Sequence, residues 1–266
     1  MVEQDKNLES PIAGIPASPL HELPQGVRSV WQVVARMPFE NLTKILKLEA
    51  HAEKDTQDVL RMPDEVLRDH RRYGTGATCF ALTYLLRDLI RRAGHDATLH
   101  TCDRRYGPDT HAAVRFDWHG RRWIFDAGYH VVQPLPDDEH DTAWYTPPNP
   151  NASRVRRAGE RRYECFTGHR GQWQIRFVFK DIPLADAAFK QRWQESFRAE
   201  MMTYPVLTKF GNGQMTYLQK TNLITRDAAQ GRRQELQTED LEEIIRLHFR
   251  IAPDIIRRAL TVARRR

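Results

Sequence analysis

The stretch from Gly74 to Gly94 constrains this chain more than any other. A glycine-bearing loop, Gly74-Thr75-Gly76-Ala77, leads into Thr78, a residue suited to cap a helix. Apolar residues then recur at Phe80, Leu82, Leu85, Leu86, Leu89 and Ile90, which is helical spacing. Arg91 and Arg92 fall in the last turn, where cations suit the helix dipole, and Gly94 stands where a terminating glycine belongs. Cys79 therefore occupies the first turn of a helix with well-marked ends.

Weaker helical patterns precede it. They cover Val27 to Ala35, with Val30, Val33 and Val34 as apolar positions, then Asn41 to His51 and Asp64 to Arg71. The proline-rich, polar opening over residues 1–25 reads as a mobile arm. Beyond Gly94 the period changes to alternation. Ala97 to Cys102, His111 to Trp118, Arg121 to Ala127, Tyr163 to Phe166 and Trp173 to Lys180 read as strands, with His119-Gly120 as a two-residue hairpin turn. A helix carrying Phe189, Trp193 and Phe197 follows, with the Trp193–Phe197 pair read as core packing. Short strands come next at Met215 to Leu218 and Asn222 to Thr225. A last helix is expected to be capped by Thr238, with Leu241, Ile244, Ile245, Leu247 and Phe249 as its apolar face. Helices followed by strands and a mixed end make the fold class α+β.

The hairpin supplies partners for the cysteine. With the turn at 119–120, residue i faces residue 239 − i, so Ala113 faces Asp126. His111 and Asp126 then share a face as diagonal neighbours, roughly 7–8 Å apart along the backbone. A carboxylate there fixes the imidazole tautomer and leaves the second nitrogen for a thiol proton. At a helix start the free N–H groups and the dipole favour thiolate over thiol, and thiolate is the nucleophile that acyl transfer needs. Taken singly, each residue has an ordinary structural explanation. Cys79 fits a packed core thiol, His111 is one of eleven histidines, and Asp126 fits a turn or cap. The conjunction of Cys79, His111 and Asp126 in this order is what points to a catalytic triad.

Composition narrows the context. Cys79, Cys102 and Cys165 are the three cysteines, without zinc-site spacing and in an odd number, so neither a disulfide framework nor a metal is expected. Cys102 and Cys165 read as packed thiols on strands. No apolar run of about eighteen residues exists and the N-terminus lacks a signal-peptide pattern, so a cytoplasmic protein without membrane contact is expected. The formal charge of +6 is mostly arginine, clustered at Arg154, Arg156, Arg157, Arg161 and Arg162 and in the tail Arg264-Arg265-Arg266. It fits a solvated basic face or a phosphorylated substrate such as coenzyme A. No nucleic-acid recognition motif accompanies it.

Four stretches resemble the arylamine N-acetyltransferase family. They are Pro38-Phe39-Glu40-Asn41-Leu42, Gly76-Ala77-Thr78-Cys79-Phe80, His111 with Gly120 to Gly128, and more weakly Thr221 to Ile251. The resemblance implies a helical bundle carrying Cys79 (residues 26–94), a central antiparallel β-barrel carrying His111 and Asp126 (95–183) and a C-terminal α/β lid (184–266), a cysteine-proteinase-like core. It implies a ping-pong acyltransferase without a permanently bound cofactor. Cys79 would take an acyl group from acetyl-CoA or another acyl thioester and pass it to an arylamine, hydrazine or similar small amine. His111 would act as base and acid, Asp126 would orient it, Gly128 and Tyr129 would contact substrate or donor, and Glu40 would support the structure by pairing with an arginine.

The sequence departs from the family pattern in places. The arginine usual before the cysteine is replaced around Thr75, leaving Arg71 or Arg72 as partners for Glu40. Ala81 stands where an acid or amide is usual. Gly128-Tyr129-His130 replaces Gly-Phe-Gly, in a loop that approaches donor phosphates in the family. Thiol hydrolysis or transglutaminase-like amide exchange with the same triad, and a non-catalytic homologue, are the competing readings.

Overall fold

The computed structural model describes residues 14–51, 59–138 and 140–265. Four helices come first: α1 (Gln25–Ala35), α2 (Leu42–Ala50), α3 (Pro63–Tyr73) and α4 (Cys79–Arg92). Between α1 and α2 lies a two-residue strand, β1 (Phe39–Glu40). Eight strands follow: β2 (Thr98–Arg104), β3 (Gly107–Trp118), β4 (Arg121–Asp126), β5 (Val131–Pro134), β6 (Ala143–Tyr145), β7 (Ala152–Arg157), β8 (Arg162–His169) and β9 (Gln172–Lys180). They form one antiparallel sheet in the order β5-β4-β3-β2-β9-β8-β7-β6. After α5 (Asp186–Glu195) come β10 (Val206–Gly211), β11 (Gln214–Gln219), β12 (Asn222–Arg226) and β13 (Gly231–Glu235), then α6 (Leu241–Phe249) and α7 (Pro253–Ala263). The expected α+β class is what the chain adopts.

The eight-stranded sheet curls until its ends nearly meet. Ser153 on β7 donates to the amide oxygen of Gln133 on β5 at 2.9 Å, although these strands lie at opposite ends of the strand order. Inside the curl, Cys102, Ala113, Ile124, Val155, Cys165 and Phe177 pack together, each alternate inward residue of its strand. Burial raises the pKa of the Cys102 and Cys165 thiols, as expected of packed cysteines.

The hairpin pairs as the turn demands. Val114 faces Phe125 and Trp118 faces Arg121, with His119 and Gly120 at φ 48° and 74°, the left-handed pair of a two-residue turn. The helices pack on the outside of this hairpin, where Thr83 of α4 donates to the Ala112 carbonyl at 3.1 Å. Trp193 and Phe197 are buried, as core packing requires. No described helix is long and apolar enough to cross a membrane.

The second sheet joins the chain's two ends. Its order is β1-β10-β11-β12-β13, so Phe39 and Glu40 pair with Thr208 and Leu207. Asn41 completes the junction: its amide donates to the Tyr204 carbonyl at 2.8 Å and accepts from the Val206 N–H at 2.8 Å. Helix α7 packs on α2 from the other side.

Several expectations need correction. Part of the presumed arm, residues 1–13, lies outside the described residues. From Ala17 the chain is docked, because Ser18 donates its N–H to the Tyr145 carbonyl at 2.7 Å and its hydroxyl to Val132, and Leu23 is buried. Val33 and Leu247 face outward, at 45% and 53% exposure, because Val27 and Trp31 with Val34, and Leu241 with Ile245 and Phe249, form the inner stripes. Thr238 caps nothing. It opens a 3-10 turn ahead of α6, and a further helix, α7, begins at Pro253 after Arg250 turns left-handed at φ 59°.

Two predictions follow from the packing. A Cβ on Gly76 would lie 1.8 Å from the Pro38 carbonyl oxygen. Gly76→Ala should therefore cost at least about 2–3 kcal/mol in urea unfolding, whereas Gly211→Ala, with open space around it, should change stability by under about 0.5 kcal/mol. Equal stability of the two variants would refute the contact. His100 and His130 are fully buried, and burial lowers both to about 4. A folded pKa below the unfolded value near 6.5 means that the unfolded chain binds more protons between the two. Stability therefore falls as pH drops from about 6.5 toward 4, by up to about 3 kcal/mol per histidine. His100→Gln should flatten that decline in urea midpoints measured from pH 7 to 4.5. An unchanged slope would refute it.

Candidate active site

Cys79 is the first residue of α4. Thr78 stands at the cap position with extended backbone, but its side chain makes no capping hydrogen bond. The first-turn N–H groups are thus left to act on charge at the cysteine sulfur. The approach to the helix is fixed by close backbone contact. Glu40 N–H donates to the Ala77 carbonyl at 3.1 Å, and Gly76 lies flat against Pro38 because it has no Cβ.

A buried ionic knot holds this turn from below. Glu40 is fully buried, and its carboxylate accepts from the Thr43 N–H at 2.9 Å and the Thr43 hydroxyl at 2.5 Å. Its arginine is Arg61, at 3.7 Å, which also donates to the Gly76 carbonyl at 2.7 Å and to Asp69 at 2.9 Å. Arg71 and Arg72, the partners expected from the sequence, are exposed and do not pair with Glu40. The one guanidinium therefore ties Glu40 to the loop before the cysteine, the work expected of an arginine inside that loop.

His111 and Asp126 meet as their shared face requires. His111 Nε2 lies 3.0 Å from Asp126 Oδ2, and both side chains are almost wholly buried. The other carboxylate oxygen accepts the Gly128 N–H at 2.7 Å. A Cβ at residue 128 would press on the imidazole at 3.0 Å, so glycine lets the loop close over the pair. The ring's second nitrogen, Nδ1, makes no close hydrogen bond with a described residue, yet thiol and imidazole are near enough to shift each other's acidity.

The electrostatics favour an ion pair. Burial opposes ionisation of Cys79, but the imidazole of His111 and the cations Arg104 and Lys44 outweigh it, and the thiol pKa is lowered. Burial likewise opposes charge on His111, but Asp126 and the thiolate raise its pKa. Lys44 is itself buried, brought down to about 8 by desolvation while the thiolate works the other way, and it donates to the Ser196 carbonyl and hydroxyl at 2.8 and 2.7 Å.

Tyr129 lies beside the pair, its ring 5.4 Å from the imidazole and 5.8 Å from Phe177. The guanidinium of Arg176 lies 5.6 Å from the Tyr129 ring centre, and that of Arg104 6.0 Å. His130 turns the other way, buried between Trp31 and Phe210 at ring distances of 5.0 and 4.9 Å. Its backbone keeps the left-handed φ of 60° that favours glycine.

Sequence reasoning missed Arg61, Lys44, Arg104 and Arg176. Lys44 left a faint trace as a lysine amid the apolar positions of α2. The others left none, because residues distant in sequence bring them to the site. Among the described residues no cluster of three or more histidine, cysteine or acidic side chains could hold a metal.

A family model described as N-acetyltransferase matches residues 28–256. No curated protein sequence matches the chain significantly. Among solved structures, it is similar to the arylamine N-acetyltransferase of Nocardia farcinica, with a TM-score of 0.72 and 23% identity over 96% of this chain and 92% of that one. The Mycobacterium abscessus enzyme gives a TM-score of 0.73 at 16% identity over 90% and 87%. A Bacillus cereus arylamine N-acetyltransferase with a Cys-His-Glu catalytic triad gives 0.65 at 13% identity over 85% and 90%. These likenesses show a common fold. With the family model spanning most of the sequence, the chain belongs to the arylamine N-acetyltransferase family.

Proposed function

We propose that the chain transfers an acetyl or other acyl group from a CoA-type thioester to an arylamine, hydrazine or similar small amine, through a thioester on Cys79. The observation that carries this is the buried His111–Asp126 bond, with the second imidazole nitrogen left for the thiol of a helix-start cysteine.

The chemistry follows from the charges. Asp126 holds the imidazole by Nε2, so Nδ1 is the nitrogen that exchanges a proton with sulfur. The Cys79 thiolate attacks the donor carbonyl, forming a carbon–sulfur bond. The tetrahedral intermediate expels the donor thiol, which leaves with the proton held on His111. The acceptor amine then attacks the enzyme thioester and gives its proton to His111. Collapse releases the amide and restores thiolate and imidazolium. The uncapped N–H groups at the head of α4 suit the oxyanion of both intermediates. Gly128 keeps the loop close to the pair, and Tyr129 offers a flat wall for an aromatic acceptor. Glu40, through Arg61, supports the loop that aims the sulfur.

Two measurements test this. Carbamidomethylation of Cys79 by iodoacetamide, followed against pH, should show a thiol pKa below the ordinary 9.0. His111→Gln removes the main lowering influence while burial remains, so it should raise the midpoint above that of the wild type. Coincident midpoints would overturn the ion pair. Intact-mass spectrometry after mixing with acetyl-CoA should show one acetyl adduct on the wild type and none on Cys79→Ala. Asp126→Asn should slow its formation by about a hundredfold or more, since the wrong tautomer is held. An amide substrate turned over with no acyl adduct from any thioester would refute acyl transfer.

A further inference from the structure

Two arginines reach the surroundings of the His111–Asp126 pair from the neighbouring strands β2 and β9, each beside an irregularity in the pairing. On β9 the register slips by one residue. Cys165 faces Phe177 and Phe166 faces Ile175, so Arg176 is the extra residue of a bulge. Strict alternation would send Arg176 to the face opposite Phe177, and the bulge turns it toward the same aromatic wall. Its guanidinium lies 5.6 Å from the Tyr129 ring, which itself lies 5.8 Å from that of Phe177. The Thr167 hydroxyl holds the side chain there, accepting from Nε at 2.6 Å. On β2, Cys102 pairs with His111 and Arg104 with Gly107, the excess on β3 being taken up around Asp109 at φ 55°. Arg104 keeps the face of Cys102 and His111, with its guanidinium 6.0 Å from the Tyr129 ring.

Neither arginine has a carboxylate partner among the described residues, although acidic side chains stand near. Asp103 pairs with Lys180 at 2.7 Å and Arg162 at 3.4 Å, and Asp109 is held by Lys180 and by Arg192 at 3.6 Å. Asp126 is spent on His111 and the Gly128 N–H. Burial and the guanidiniums of Arg226 and Arg104 hold Arg176 below the ordinary arginine range, as befits cations with no anion between them. The Cys79 thiolate is an anion that Arg104 does answer, since each favours the charged form of the other.

Acylation takes that anion away, because a thioester sulfur carries no charge. Two half-buried guanidiniums then face a neutral acyl group, unless the group brings a charge of its own. Their planar forks suit a carboxylate, and the aromatic wall of Tyr129 and Phe177 keeps water from screening it. We propose that Arg104 and Arg176 hold the distal carboxylate of a dicarboxylic acyl group, so that the donor is a thioester whose acyl chain ends in a free acid. The thiolate bonds to the proximal carbonyl carbon, the donor thiol leaves with the proton from His111, and the distal carboxylate stays ionised throughout. This rests on the reading of Cys79 as acylated by a thioester, and the test separates the two.

The adduct on Cys79 is timed by intact-mass spectrometry with succinyl-CoA and with butyryl-CoA, which carry four-carbon chains on the same carrier and differ in the terminal carboxylate. The wild type should be acylated at least about tenfold more efficiently by succinyl-CoA. Arg104→Gln and Arg176→Gln should each lower that ratio, the double variant should bring it to one or below, and Arg104→Lys should keep part of it. A change in thiolate fraction or in folding acts on both donors and cancels in the ratio. A wild-type ratio of one, or a ratio that survives the double variant, would overturn the carboxylate pocket while leaving acyl transfer standing. So would arginine dependence confined to the second half-reaction, with acetylated enzyme given 4-aminobenzoate in place of aniline, since the arginines would then serve the acceptor. Absence of any adduct from succinyl-, butyryl- and acetyl-CoA alike would overturn the thioester reading itself.

Discussion

A carboxylate with no access to water needs compensation from its neighbours, and Asp126 obtains it from two sources. One oxygen takes an imidazole and the other takes a backbone N–H from Gly128. Both partners come from the immediate surroundings of one hairpin, so the register of β3 on β4 decides whether the arrangement exists at all. A slip by a single residue would send His111 and Asp126 to opposite faces. The two-residue turn at His119 and Gly120 prevents that slip, and the apolar neighbours Ile124 and Phe125, buried on opposite sides of the sheet, make either alternative costly. The His111–Asp126 pair therefore inherits its precision from ordinary hairpin chemistry.

That dependence explains why the hairpin was legible in the sequence. Turn residues and alternation are local signals, and the His–Asp relation needs only the pairing rule and the period of two. The helix start at Cys79 was legible for the same reason. What escaped was set by residues far apart in the chain. Arg61 reaches Glu40 across a segment whose length gives no geometric hint, so the sequence pointed to Arg71 or Arg72 instead. Strands β5, β6, β7, β10 and β13 carry short or polar patterns that acquire meaning only when the sheets close. Helix α7 was missed although Pro253 and Asp254 mark its start, because the preceding apolar face already gave an acceptable end. The docked segment from Ala17 looked like a mobile arm because its contacts are mostly backbone bonds to Tyr145, which composition cannot show.

The position of the sulfur depends on a second, independent fixture. Strand β1 belongs to the sheet otherwise built from residues beyond 205, while Ala77, beside it, leads into α4. Glu40 and Asn41 thus sit where the helical part, the loop before Cys79 and the C-terminal sheet converge. Neither is placed to touch reacting atoms. Their burial is justified by the bonds they make: Glu40 to Thr43 and Arg61, Asn41 to the backbone around Tyr204 and Val206. An unpaired buried carboxylate would be costly, so losing Arg61 would disturb this junction more than losing an exposed ion pair of the same length.

Charge completes the logic. The thiol is buried, which alone would keep it protonated as it does Cys102 and Cys165. Those two thiols face apolar neighbours inside the barrel, whereas Cys79 is influenced by His111, Arg104 and Lys44. Three thiols with similar burial therefore differ because of the cations around them. The same cations favour an anionic ligand near the sulfur, and Arg104 and Arg176 have no carboxylate partner among the described residues to cancel their field. The positive charge that lowers the Cys79 pKa thus belongs to a wider field that would favour an anion near the sulfur.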